Sequence, residues 1–176
     1  MKKFLTLCSV FALMLTLQAC GSDEEVLPNS TLHTNADCLC EMRFPNDWES
    51  GTQYEKADFE FTAPDKLRQV LVFHGDVPEG QKADFNAYVQ QTLQGIEEST
   101  EIYNNLSERV LTIDGMQAKQ YEIETVSESQ PIMNLLTIIE GDNGKLYQIL
   151  AWSVASNYKN VVNDLHSIVN TFESTN

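Results

Sequence analysis

Apolar residues in this chain fall into blocks whose spacing changes from continuous to alternating to helical. Phe4 to Leu17 is an almost unbroken apolar run, relieved by Thr6, Ser9 and Thr16. Gly21 to about Asn35 is polar, contains Pro28 and has no period, as expected of a flexible tether. Order is expected to begin near Asp37. Cys38, Cys40, Met42 and Phe44 alternate with Leu39, Glu41 and Arg43, a period-two strand that Pro45, Asn46 and Asp47 turn. Tyr54 to Thr62 repeats the alternation with Ala57, Phe59 and Phe61 on one face, and Pro64 and Asp65 break it. Val70, Leu71, Val72 and Phe73 form a continuous run suited to a central strand. The period then lengthens: Phe85, Val89, Thr92 and Ile96, with Tyr88 and Leu93 beside them, predict a helix.

Strand spacing returns at Arg109–Ile113, and Asp114 and Gly115 are a strong hairpin pair leading into Gln117–Thr125. There Tyr121 and Ile123 are expected inward, Glu122 and Glu124 outward. Ile132–Glu140 is apolar on both faces, and Asp142, Asn143 and Gly144 turn it into Lys145–Val154. A last helix is expected from Ser156, a plausible N-cap, with Val161, Leu165, Ile168 and Phe172 as its apolar stripe, joined by Val162 and Val169. Strands joined by short turns give an antiparallel sheet of six to seven strands, with two amphipathic helices packed on it. The class is α+β, and residues 37–176 form a single domain.

The first apolar block has another meaning. Lys2 and Lys3 precede it, and together they form the charged and apolar regions of a secretory signal. A helix crosses the hydrocarbon core with about 20 apolar residues, so this run is too short for a stable span. It ends in Leu17, Gln18, Ala19 and Cys20, which resembles the lipobox of bacterial lipoproteins. The resemblance implies that residues 1–19 are a signal peptide, cleaved between Ala19 and Cys20, and that Cys20 carries a diacylglycerol thioether. Residues 20–36 are then the tether. Each buried lipid methylene contributes about 0.8 kcal/mol, and two or more chains hold a protein stably on a membrane. Gly21, rather than Asp, follows the cysteine, which favours the outer membrane in a double-membrane organism. Asp23, Glu24 and Glu25 resemble a surface-export signal of Bacteroidetes lipoproteins, or serve as a solvated acidic tether.

Charge narrows the partners. The chain carries a formal −15, and loss of Lys2 and Lys3 with the signal peptide makes it −17. Such a surface repels phosphate backbones and anionic headgroups, so neither nucleic acid nor electrostatic membrane docking is expected. A basic partner or loosely held divalent cations fit better, and the commoner role of an acidic surface is simply to keep a protein soluble.

Chemical motifs are sparse. Cys38 and Cys40, two apart on a strand, point to one face at a separation unfavourable for a relaxed disulfide. A strained loop bridge, an intermolecular bridge and two buried thiols are the alternatives, and their alignment with Met42 and Phe44 favours thiols. His33 falls in the tether, His74 at a strand end and His166 beside the last helical stripe. No pair of them has metal-ligand spacing. Nucleophile elbows, Ser-x-x-Lys, phosphate-cradling glycine loops and calcium-loop spacing are all missing. No cofactor and no catalytic residue is expected. Trp48, in a loop after the first turn, is the one candidate binding residue, weighed against a role closing one end of the core.

The element order resembles the PsbP/Mog-type fold, shared by photosystem II subunits, a Ran-binding nuclear import factor and many bacterial envelope lipoproteins. Residues Met42 to Trp48 (Met-Arg-Phe-Pro-Asn-Asp-Trp) are similar to its opening strand, proline and tryptophan. Gly144 to Ile149, followed by Leu165 to Phe172, is similar to its late hairpin and closing helix. The resemblance covers about Cys38 to Phe172 and implies a scaffold or accessory binding protein; it transfers no functional residue. The expectation is therefore a noncatalytic, lipid-anchored envelope protein that binds another envelope component. A ligand binder with a pocket between sheet and helix is the alternative, and an enzyme with an unrecognised site a more remote one.

Overall fold

The computed structural model describes residues 27–75, 84–127 and 129–175. The expected signal peptide, Cys20 and the start of the tether lie outside these residues. The elements run β1 (Ser30–Asn35), β2 (Cys40–Pro45), β3 (Glu49–Ser50), β4 (Phe59–Thr62), β5 (Arg68–Gly75), α1 (Phe85–Ser99), β6 (Ile102–Ile113), β7 (Met116–Ser127), β8 (Gln130–Glu140), β9 (Leu146–Val154), α2 (Ala155–Val169) and β10 (Glu173–Ser174). All strand pairs are antiparallel. A seven-stranded sheet has the order β3-β4-β5-β9-β8-β7-β6, and a small sheet has the order β1-β2-β10. The fold is α+β, as the sequence indicates.

Successive side chains of a strand face opposite ways, so the buried residues separate into two layers. On one face Ala118, Leu135, Ile139, Ile149 and Ala151 pack with Leu165, Ile168 and Val169 of α2 and with Met42 and Phe44 of β2. On the other, Tyr121, Ile123, Leu136 and Ile138 pack with Phe85 and Val89 of α1. The central strands are thus covered twice, which explains the apolar runs on both faces of β5 and β8. Phe44 stacks on Phe61 at 3.8 Å between centroids, tying the small sheet to the large one.

Several sequence expectations change. Ordered structure begins before Asp37: residues 30–35, assigned to the tether, form β1 and pair with β2 from Ser30↔Pro45 to Asn35↔Cys40. His33 is therefore in a strand, with its ring against Phe44 and Phe61. Tyr54–Asp58 is turn and loop rather than strand, with Ala57 N–H donating to the Tyr54 carbonyl at 2.9 Å. α2 starts at Ala155 after Val154, without a side-chain cap, so Ser156 is inside the helix.

Cys38 and Cys40 form a disulfide, not two thiols. The expected strand starts only at Cys40, and Cys38 lies in the turn before it. Leu39 adopts φ +52°, which bends the chain between the cysteines and removes the same-face geometry of a strand. Their Cα atoms are 5.3 Å apart, inside the range a bridge spans. Tyr147 Oη donates to the Cys38 carbonyl at 2.9 Å and approaches the Leu39 carbonyl at 3.2 Å, fixing the turn against β9.

Candidate functional site

α2 lies over the middle of the large sheet and leaves its β6 side uncovered on that face. The space between forms an open groove of about 550 Å³. Its floor is Leu106 of β6, Glu122 and Glu124 of β7 and Met133 of β8; its wall is the Tyr158, Val162 and His166 face of α2. The wall follows from helical spacing, since residues four apart stack on one face. The floor follows from register: Glu122 pairs with Ser107 and Glu124 with Asn104, while the shift between Asn105 and Ser107 leaves Leu106 as the extra residue of a bulge. Glu122 and Glu124, expected to face solvent, are half-buried on the α2 side. The face opposite Tyr121 and Ile123 is covered by a helix too, so "outward" on β7 leads into the groove.

Polar groups gather at the His166 end. Arg109 donates from Nη2 to Gln120 Oε1 and, at 3.0 Å, to His166 Nε2. Gln120, itself buried, donates from Nε2 to Thr137 Oγ1 at 2.9 Å. An acceptor at Nε2 requires a neutral imidazole. Burial, and next the Arg109 charge, hold the His166 pKa below its ordinary 6.5, against the opposing pull of Glu122. Tyr158 is 5% exposed, and its hydroxyl has no hydrogen bond of regular geometry. Burial, and then the nearby Glu122 carboxylate, push its pKa well above the phenol range, so it keeps its proton. Asn104 Nδ2 donates to Glu124 at 3.2 Å. Neither Glu122 nor Glu124 has an ion-pair partner among the described residues.

Of the described histidines, cysteines and Trp48 weighed as chemical candidates in the sequence, His166 alone lines this groove. Trp48 is 8% exposed in the core, with the Arg68 guanidinium 5.6 Å above its ring. His74 Nδ1 contacts the Asp58 carboxylate at 2.8 Å. No group of three or more His, Cys, Asp or Glu residues among the described ones has a metal-holding arrangement. No described helix is long and apolar enough to cross a membrane. Tyr158 and the β7 carboxylates were not legible as a site. The one available signal was Tyr158, Val162 and His166 at four-residue spacing, which flanks the core stripe and looks like part of it.

A scan against protein-family models finds no match, and neither does a search of curated proteins. Solved structures do match. Cyanobacterial PsbP (CyanoP) from Synechocystis sp. PCC 6803 aligns at TM-score 0.66 and 12% identity, over 90% of this chain and 98% of its own. LpqN, involved in cell envelope biogenesis of Mycobacterium tuberculosis, aligns at 0.58 and 13%, over 86% and 88%. The Saccharomyces cerevisiae Ran-binding protein Mog1p aligns at 0.56 and 13%, over 84% and 96%. The chain has the PsbP/Mog-like fold. At these identities the likeness is one of fold, and the functions of these proteins are their own.

Proposed function

We propose that this protein is a noncatalytic, lipid-anchored envelope protein that binds another envelope component through the groove between α2 and the β6 side of the sheet. The carrying observation is the make-up of that groove: Leu106, Met133, Ala155 and Val162 supply apolar surface, beside the polar groups of Glu122, Glu124, Tyr158, Lys159, Asn163 and His166. Apolar surface with polar groups converging on it is the composition of a recognition surface. The lipobox-like Leu17–Cys20 supports the anchor, and the fold shared with an envelope-biogenesis protein is compatible with the location. A double-membrane organism would place the anchor in the outer membrane.

Cell fractionation tests the anchor. Cys20→Ser is expected to release the protein to the soluble fraction or leave its signal uncleaved; unchanged membrane association contradicts the anchor. The groove volume also suits a small amphiphile, since such sites span roughly 300–1,000 Å³. Native mass spectrometry of protein purified from membranes checks this second reading, which predicts a co-purifying lipid lost in Val162→Trp.

A further inference from the structure

The groove opens onto a sheet edge, and the two together specify an occupant more narrowly than either does. β6 is a terminal strand of the large sheet and, among the described residues, pairs with β7 alone. Over its 12 residues one row of backbone groups has no strand beside it among the described residues. Ile102, Leu106 and Val110 are 49%, 58% and 71% exposed along it. A long edge with exposed apolar residues and no proline is a template for strand addition. Resting on the binding-module reading, we propose that β6 receives an extended segment of a partner protein as an added strand, with a lysine or arginine of that segment reaching Glu122 and Glu124.

The backbone row calls for a polypeptide, because a compact small molecule would satisfy few of its donors and acceptors. Charge sets the side chain. Glu122 and Glu124 stand two apart on the same face of β7, half-buried and without an ion-pair partner among the described residues. Arg109, whose Nη2 donates to Gln120 and His166, and Lys159, exposed on α2 at the groove, form no ion pair with either carboxylate among the described residues. A long basic side chain lays its methylenes on apolar surface while its head stays with polar groups, and Leu106, Met133 and Val162 offer that surface. Tyr158 closes the same end of the site. Its buried hydroxyl faces Glu122, the carboxylate that helps raise its pKa, and is placed to orient that carboxylate toward an incoming cation. A second copy of this chain is disfavoured, because two chains of formal −15 repel each other.

The test is a random-peptide display selection on the full chain, with selected peptides remeasured by fluorescence anisotropy. Enrichment of a Lys or Arg flanked by alternating β-branched residues is expected. Glu122→Gln with Glu124→Gln should weaken those peptides about tenfold or more, and Leu106→Lys, exposed and tolerant of charge, should do the same. Tyr158→Phe should weaken them less, with the folded circular-dichroism spectrum retained. In hydrogen exchange the added peptide should slow β6 amides. No enrichment, enrichment of acidic peptides, or binders indifferent to all these changes overturns the proposal. So does concentration-dependent dimerisation abolished by Leu106→Lys, which would assign the edge to a second copy. If the selection fails while Cys20-dependent membrane association persists, only the occupant is wrong; loss of both removes the anchored binding module itself.

Discussion

His166 shows how a single residue's protonation reports the wiring of the groove. Arg109 donates to its Nε2, and burial adds to the cost of charging the ring. The folded pKa is lowered below the unfolded value, so between the two the unfolded chain binds more protons and stability rises with pH. The stability that the neutral ring contributes is present above about pH 6.5 and is lost as pH falls toward the depressed folded pKa. An NMR titration is expected to give a His166 midpoint below 6.5. Arg109→Gln should raise that midpoint and Glu122→Gln lower it further, since the two charges act in opposite directions. A midpoint unmoved by either change would show that Arg109 and Glu122 do not face the ring. The sequence placed His166 at the flank of a helix stripe, but its partner is 57 residues away on another element, and no local pattern carries that distance.

At the level of elements, legibility followed burial. The helices and the paired strands β7, β8 and β9 were readable because one or both faces are packed. The first half of β6 was not, because Ile102–Glu108 has little buried surface to impose alternation. β1 was missed for the same reason: Ser30–Asn35 contributes few apolar residues and is held by backbone pairing. The cysteine bridge was missed because a turn, not a strand, joins its ends. Two glycines separate packing from propensity. A Cβ on Gly141, in the β8–β9 turn, would meet Tyr147 Cε2 at 2.6 Å and the Lys145 carbonyl at 3.1 Å. Tyr147 is fully buried and accepts from Asn143 Nδ2 at 2.7 Å while holding the Cys38–Cys40 turn. Gly141→Ala is therefore expected to cost about 1–3 kcal/mol, measured by urea unfolding. Gly95 lies on the exposed side of α1 with nothing within 4 Å of its added Cβ. Gly95→Ala should stabilise by about 0.5–1 kcal/mol in the same assay. Equal effects at both sites would contradict the packing described for the turn.

For the whole molecule, the doubly covered sheet explains why a chain of ordinary composition offers a long uncovered margin at β6. α1 and the α2 layer bury the centre of the sheet from both sides, and α2 touches β6 at Arg109–His166 while leaving much of that strand exposed. The fold class was legible because repeated hairpins and two amphipathic helices admit few arrangements. The groove was not, because it is assembled from β6, β7, β8 and α2, whose residues are scattered along the chain. Its strongest test is site-specific photo-crosslinking in intact cells, with a photoreactive residue replacing Leu106 in the otherwise natural chain. The same residue in place of Glu55, in the exposed loop before β4, is the control. A discrete protein adduct is expected at position 106, absent at position 55 and diminished by Glu122→Gln with Glu124→Gln. No adduct at position 106, or the same adducts at both positions, would contradict the β6 groove as the binding surface.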